Sequence, residues 1–481
     1  METTYSTPTT KRFSEFPETF INPHKLSPTI LREYDIRGTI GENLSTEDAY
    51  AIGLSFGYLV KEVGGFHVCI GRDGRHSSPE LSQSLIAGLS QVGITITDIG
   101  LCPTPMVYFA DRILNTDGAI MVTGSHNPPN QNGFKMVWQH KPFFGKQIQR
   151  LGAVAASGLF HKEISKLNTI DITTTYCKRM VEACEIKKIP RIAWDPGNGA
   201  AAVALKHILP NLPGEHFLIN GEVDGDFPSH HPDPTVPENL EQLRETILEN
   251  KCHYGFAFDG DGDRVGVVDN NGDILWGDQL LALLAEELLE TKPGATIIAD
   301  VKASQGLFDH VKNKGGHPLM WKTGHSLIKN KIASTGALLA GEMSGHIFFA
   351  DRYYGFDDAI YAAIRLMNCF EHMGQPVSDL KAKLPKAFNT PELRFPCDED
   401  QKFKFIKRIH DYVEKKSFQY SSVDGVRVQC HGGWWLLRAS NTQAVLVARC
   451  EALDKQKLEL VKNHLRTSLR KCEIPIPSDF S

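Results

Sequence analysis

Short apolar strands alternate with helical runs three times over along this chain, and that rhythm leaves few folds open. In the first round His67–Gly71 reads as a strand, Pro79–Gln91 as a helix with Leu81, Leu85, Ile86 and Leu89 on one face, and Ile94–Ile99 as a second strand. Helical Pro105–Leu114 and strand Gly118–Thr123 complete it. The second round takes in strand Arg191–Trp194, a helix through Leu209, strand His216–Ile219, helical Glu238–Glu249 and strand Tyr254–Phe258. The third has helix Gln279–Glu290, strand Ala295–Ala299, helix Ser326–Ala333 and strand Ala337–Ala340. Strand–helix–strand units of this kind predict parallel sheets flanked by helices. After them Val423–Gln429, Trp434–Arg438 and Ala444–Cys450 read as successive strands, and Leu453–Cys472 as an amphipathic helix. The fold class is therefore α/β: three similar mixed α/β domains plus a smaller C-terminal α+β domain. Boundaries are expected at 1–26 (a flexible N-terminal arm rich in Thr, Ser and Pro), 27–170, 171–274, 275–387 and 388–481.

Composition excludes several classes. With 481 residues, 41% of them hydrophobic, the chain can build several cores. A net charge of −5 argues against a nucleic-acid binder. The longest apolar stretches, near Ala51–Val60 and Leu280–Leu289, are too short to span a bilayer, and the first residues have no apolar core of a secretory signal. Ten cysteines without a CxxC pair fit free thiols in a reducing cytoplasm.

Four segments carry chemistry. Thr123-Gly124-Ser125-His126-Asn127-Pro128-Pro129 follows a strand, at the edge of a sheet where ligand sites gather. A stiff loop there can present the Ser125 hydroxyl as a nucleophile, with His126 beside it and Lys135 to stabilise charge; an ordinary strand-to-loop turn has the same sequence needs. Asp259-Gly-Asp261-Gly-Asp263-Arg264 places three carboxylates at i, i+2 and i+4, on one side of an extended segment. Three acidic oxygens suit a hard cation such as Mg²⁺. The EF-hand pattern fails, since Arg264 and Asn270 stand where Gly and Glu are needed. Gly341-Glu342-Met343-Ser344-Gly345-His346 can read neighbouring hydroxyls or be a plain loop. Arg438-Ala-Ser440-Asn441-Thr442 can cradle a phosphate or turn a hairpin. Together, a serine carrier, a metal site, a hydroxyl-reading loop and a remote phosphate cradle suit phosphoryl transfer better than hydrolysis.

Those four segments, with Tyr34-Asp-Ile-Arg37-Gly and Gly71-Arg-Asp-Gly-Arg75, occur in the order found in the α-D-phosphohexomutases. The chain resembles that family over nearly its whole length after residue 26, most closely the bacterial phosphomannomutase/phosphoglucomutase branch. The resemblance implies four domains around a central cleft and an interconversion of hexose 1-phosphate and hexose 6-phosphate through a phosphoserine and a hexose 1,6-bisphosphate, which also serves as activator. It implies that Ser125 carries the phosphoryl group and, with Asp259, Asp261 and Asp263, ligates Mg²⁺. Arg37, Lys135 and Arg264 would stabilise charge, with His325 or Lys135 helping in proton transfer. Glu342 and Ser344 would bind sugar hydroxyls with His346 nearby, Tyr34, Lys302 and His325 would contact ligand, and Arg438, Ser440, Asn441 and Thr442 would hold the idle phosphate. Hexose phosphates are the expected partners of a cytoplasmic monomer or weak homodimer. Two departures stand out: Gly124 in place of Ala, a conservative change, and Gln443-Ala444 in place of Glu-Pro, which loosens the phosphate loop. The sister reading is a phosphoglucosamine mutase; a metal-dependent sugar phosphatase and a non-catalytic sugar-phosphate binder are more distant alternatives.

Overall fold

The same four-stranded unit is built three times. The computed structural model describes residues 19–20, 23–160, 163, 165–441, 443–477 and 480. In the first unit Thr95–Leu101, His67–Arg72 and Gly118–Val122 run parallel, and Gln131–Trp138 returns antiparallel beside the last. The second repeats the order with Glu215–Leu218, Arg191–Asp195, Tyr254–Phe258 and the antiparallel Val265–Asp269. The third does so with His317–Trp321, Thr296–Asp300, Leu339–Gly341 and the antiparallel Ile347–Phe349. Each sheet thus has the expected parallel core, but its fourth strand departs from a wholly parallel reading. The reason is connection length: a short loop can only reverse the chain, whereas a parallel return needs a helical crossover. The three loops that turn these hairpins are the serine loop, the aspartate loop and the Glu342 loop.

Sequence periodicity located seven of the fourteen α-helices among the described residues, five of them to within a residue or two: Ser78–Ser90, Thr104–Ile113, Gly277–Thr291, His325–Thr335 and Lys455–Lys471. It passed over Thr46–Glu62, Gln305–Asn313, Ala359–Met373 and Glu399–Lys415. Ala359–Met373 is buried from Ala359 to Phe370, with Arg365 and Asn368 buried along its one polar stripe. It packs on Gly277–Thr291 inside one apolar cluster that runs from Tyr108 and Phe109, through Trp194 and Phe256, to Ile360 and Phe370. The first three units therefore share a core, while the far face of the first has its own around Phe56, Ile70 and Phe143. No helix among the described residues is long and apolar enough to cross a membrane.

The N-terminal arm is tied down at its end rather than flexible throughout. Thr19–Phe20 pairs with Leu159–Phe160, the His24 amide donates to Ala155 O at 3.0 Å, and Leu26 is buried. The rest of the expected arm, residues 1–18 and 21–22, lies outside the described residues.

In the fourth unit an antiparallel sheet, Phe388–Asn389, Val445–Ala452, Gly433–Ala439, Val426–Cys430 and Tyr420–Ser421 in that order, is backed by Glu399–Lys415 and Lys455–Lys471. It grips the third unit through the segment that carries Lys302. Arg427 lies flat on Trp434, with 3.7 Å from guanidinium carbon to ring centroid, and donates to Val301 O at 2.8 Å and Ala303 O at 2.9 Å. Arg449 donates to Lys302 O at 2.9 Å. Glu451 accepts from Ser304 Oγ, the Gln305 amide and Trp434 Nε1. Burial lowers the Arg427 pKa to about 10, with Glu451 opposing. Removing this guanidinium leaves two buried carbonyls unpaired, at about 1–3 kcal/mol each. Arg427→Met should lower the unfolding free energy by about 2–4 kcal/mol, read from urea unfolding by tryptophan fluorescence; an unshifted midpoint would mean that other contacts hold the sheet in place.

Candidate active site

Ser125 sits at the tip of the first hairpin with φ +51°, a left-handed backbone that a non-glycine residue adopts only where its surroundings enforce it. Those surroundings are dense. Its amide donates to Thr123 Oγ1 at 2.8 Å, and its carbonyl accepts from Arg75 Nη2 at 2.7 Å. Arg75, 1% exposed, also donates to the carbonyls of Asn127, Pro128 and Gln131, so one guanidinium braces the whole loop. Its charge is held beside Asp73, at 3.3 Å.

The second hairpin meets the first head-on. Ser125 Oγ donates to Asp259 Oδ2 at 2.8 Å and lies 3.1 Å from His126 Nδ1. A Cβ at Gly260 would stand 2.4 Å from the Ser125 carbonyl, so only glycine allows this approach. The aspartate segment is a turn rather than the extended run expected. Asp259 Oδ1 accepts from the Asp263 and Arg264 amides at 3.0 and 3.1 Å, and this gathers the three carboxylates more tightly than a strand would. Their ligand oxygens lie within 4.8 Å of one another, and all three residues are 0% exposed.

Charge balance decides the chemistry here. Lys135, opposite Met121 on the returning strand, donates to Asp261 Oδ2 at 2.7 Å and to Asp263 Oδ2. Burial works against its charge, but Asp261 and Asp263 outweigh burial and hold its pKa above the ordinary lysine value. Burial likewise opposes ionisation of Asp261, yet Lys135 and Thr104 pull its pKa well down. Asp259 goes the other way, pushed up by burial and by Asp261 and Asp263. Asp261 Oδ1 has no hydrogen-bond partner among the described residues. Three buried carboxylates, two oxygens unpartnered among the described residues (Asp261 Oδ1 and Asp263 Oδ1) and an ammonium already bridging two of the residues fit a hard divalent ion. Arg37, in the edge strand Ile36–Thr39, is held by Asp35 at 2.9 Å and keeps Nη1 without a protein partner among the described residues.

The third hairpin supplies His346 and Glu342. Arg264 Nε donates to His346 Nε2 at 3.2 Å, and His346 Nδ1 lies 3.1 Å from Asp263 O. The His346 and His325 rings stack, with centroids 5.7 Å apart. Burial depresses the His325 pKa strongly, helped by Lys329; burial also depresses His346, but Asp263 and Asp357 outweigh it and raise it. Burial, with Arg264 and Arg37, keeps His126 neutral. Buried Glu342 accepts from the Gly324 amide at 2.6 Å, while Ser344 is half-buried.

Tyr34 ties three domains together. Its hydroxyl donates to Thr323 O at 2.6 Å and accepts from Asn441 Nδ2. Arg438 Nε donates to Asp424 Oδ2 at 2.9 Å, and Asp424 accepts from the Thr323 amide. Ser440 Oγ accepts from the Gln443 amide. Lys302 is held by Glu392 at 3.2 Å and has Asp300 at 4.0 Å. Thr442 lies outside the described residues. Contacts thus run from Ser125 through Asp259, Arg264 and His346 to His325, and Tyr34 bonds to both the third and the fourth domain. Sequence reading passed over Thr104, Lys329, Asp357 and Asp424, and it quoted Arg75 within a motif without giving it a role. Only Asp357 left a trace: in Asp357-Asp358 before an apolar helix, Asp358 caps the helix, and a second buried carboxylate is unexplained.

Gly124 is not the neutral replacement for Ala that its size suggests. A Cβ there would lie 2.3 Å from Arg75 Nε and 2.7 Å from Gln131 O. Gly124→Ala should displace Arg75, cost about 1–3 kcal/mol of stability and lower turnover more than substrate affinity, checked by thermal melts and steady-state kinetics.

Sequence models of the phosphoglucomutase/phosphomannomutase family match the chain in four pieces: alpha/beta/alpha domain I at residues 28–160, domain II at 174–272, domain III at 276–388 and the C-terminal domain at 392–468. A phosphomannomutase/phosphoglucomutase of Pseudomonas putida is 43% identical over 458 residues, covering 95% of this chain and 99% of its own. That of Pseudomonas aeruginosa is 41% identical over 455 residues, covering 95% and 98%. The crystal structure of a phosphoglucomutase/phosphomannomutase family protein from Burkholderia thailandensis superposes with a TM-score of 0.88 at 40% identity, covering 93% of this chain and 98% of that one.

Proposed function

The chain belongs to the phosphoglucomutase/phosphomannomutase family, and on that premise we propose how its residues carry out the mutase reaction. The activity is the reversible interconversion of mannose or glucose 1-phosphate with the 6-phosphate through a 1,6-bisphosphate. The observation that carries the assignment of roles is the Ser125 hydroxyl aimed at Asp259 at 2.8 Å, between the serine loop and the buried aspartates.

In the working enzyme Ser125 Oγ bears the phosphoryl group. A sugar hydroxyl attacks that phosphorus; the new P–O bond forms as the bond to Ser125 Oγ breaks, and the hydroxyl proton passes to a protein base. His325, kept neutral by burial, suits that task, with His346 stacked on it. Lys135, held charged by Asp261 and Asp263, suits charge stabilisation instead, alongside Arg37 and Arg264. Asp259, Asp261 and Asp263, with Ser125, would hold Mg²⁺, which when bound would neutralise charge on the transferring phosphoryl group. Glu342 and Ser344 hold ring hydroxyls. Lys302, Arg438, Ser440 and Asn441 hold the phosphate that does not react, with Thr442 assigned there by sequence. After the bisphosphate turns over in the cleft, its other phosphoryl group returns to Ser125 and the isomeric monophosphate leaves. A trace of hexose 1,6-bisphosphate would prime the unphosphorylated enzyme. All four loops lie on one chain, which suits a monomer or weak homodimer, and ten unpaired cysteines suit the cytoplasm.

³¹P NMR with Mg²⁺ and a trace of glucose 1,6-bisphosphate tests the reading. Mannose and glucose 1-phosphate should convert at comparable rates and glucosamine 1-phosphate much more slowly; dominant glucosamine turnover would move the chain to the sister activity. Ser125→Ala should lose turnover by at least about 10³-fold while sugar-phosphate binding persists. Arg438→Ala should chiefly raise KM, by about tenfold or more; an unchanged KM removes that loop from phosphate binding.

A further inference from the structure

The second domain reaches the serine loop twice, once in front through Asp259 and once behind through Phe227. Phe227 has φ +51°, a backbone that a bulky aromatic residue adopts only under constraint. It is 8% exposed, yet it joins none of the apolar clusters among the described residues. Its ring instead faces the Arg75 guanidinium, with 5.1 Å from the guanidinium carbon to the ring centroid. The two Nη atoms of Arg75 make four hydrogen bonds, to the carbonyls of Ser125, Asn127, Pro128 and Gln131. Those bonds use every Nη proton, and all of them lie in the plane of the group. Nε, on the same edge, stands 3.3 Å from Asp73 Oδ2. With its edge committed, the guanidinium can be steadied further only through a flat face, and an aromatic ring is the side chain suited to that.

Phe227 is itself held from the aspartate side. Its amide donates to Asp224 O at 3.1 Å, and the Asp224 amide donates to Asn198 O at 3.0 Å. The Asn198 amide donates to Asn220 O at 3.0 Å and its Nδ2 to Glu222 O at 2.9 Å. Two residues on, the Ala200 amide donates to Gly260 O at 2.9 Å, between Asp259 and Asp261. One turn after strand Arg191–Asp195 thus steadies both contacts of the second domain with the serine loop. The backbones also meet closely: a Cβ at Gly225 would stand 2.8 Å from the His76 amide nitrogen and 2.9 Å from Gly74 O.

We infer that Phe227 is a positioning residue for the serine loop: acting through the face of Arg75, it fixes the Ser125 carbonyl and so the place of Ser125 Oγ relative to Asp259. The ring touches no reacting atom. Its effect on turnover rests on the phosphoryl-carrier role proposed for Ser125; the mechanical link does not.

Hydrogen–deuterium exchange reads that link without any turnover. Phe227→Leu keeps apolar bulk but has no ring face. In this variant, exchange across residues 123–131 should quicken at least about tenfold, with exchange across residues 341–346 unchanged. Trifluorophenylalanine at position 227 keeps the ring's shape and weakens its negative face, and should quicken exchange across residues 123–131 at least about threefold. Unchanged exchange there in either variant overturns the proposal. An equal rise in both segments marks general loosening and overturns it as well. With glucose 1-phosphate, kcat of Phe227→Leu should fall about 10- to 100-fold, and KM should stay within about twofold. If exchange behaves as expected and kcat does not fall, Phe227 still holds the loop, and the role assigned to Ser125 is what fails.

Discussion

Lys135 lying between Asp261 and Asp263 is the interaction on which the site depends. Isolated carboxylates cannot remain ionised in a dry interior; they must find a cation or a proton. The second hairpin carries three of them, and the first hairpin brings the ammonium that meets two. The two domains are therefore not merely adjacent. Each satisfies a charge that the other could not bury alone, and the match places Ser125 against Asp259. Coulombic demand between two loops, rather than apolar packing, fixes the serine hydroxyl to within hydrogen-bond distance of the carboxylates. The continuous apolar cluster running from Phe109 to Phe370 holds the domains close enough for that demand to act.

Economy of topology explains how one chain positions several reactive loops. A parallel strand ends at the edge of its sheet where ligands gather, and an immediate antiparallel return leaves a short, constrained loop there. Three domains use this device, and each fills the loop with different chemistry: a hydroxyl, a set of carboxylates, and a glutamate with a histidine. The fourth domain has no such parallel core. It contributes instead a hairpin end with Arg438 and Asn441, and a buried arginine and glutamate that grip the segment bearing Lys302.

Local patterns in the sequence exposed much of this. Amphipathic helices such as Thr104–Ile113 announce themselves by spacing, and Ser125 and the three aspartates stand out because glycines and prolines surround them. The gaps have physical causes. Ala359–Met373 is an exception: Arg365, Asn368 and His372 mark one face at helical spacing, so its pattern was legible and was passed over. Gly124 looked interchangeable with alanine, since nothing near it in sequence reveals that Arg75 fills the space where a Cβ would go. Asp357 and Asp424 act only through residues distant along the chain, His325 and His346 in one case and Arg438 in the other. Side chains whose partners are set by tertiary folding leave no local signature, and most of the supporting groups around this site are of that kind.

The Tyr34 hydroxyl has a consequence for kinetics. It donates to the third domain and accepts from the fourth while standing in the first, so the cleft cannot open there without losing both bonds. At about 0.5–1.5 kcal/mol each, their joint loss would slow escape by roughly 5- to 150-fold. A bisphosphate that must turn over and react a second time benefits from that delay, whereas a finished monophosphate has to overcome it. The tyrosine thereby favours processivity: it weights the choice between completing the second transfer and losing the intermediate to solution.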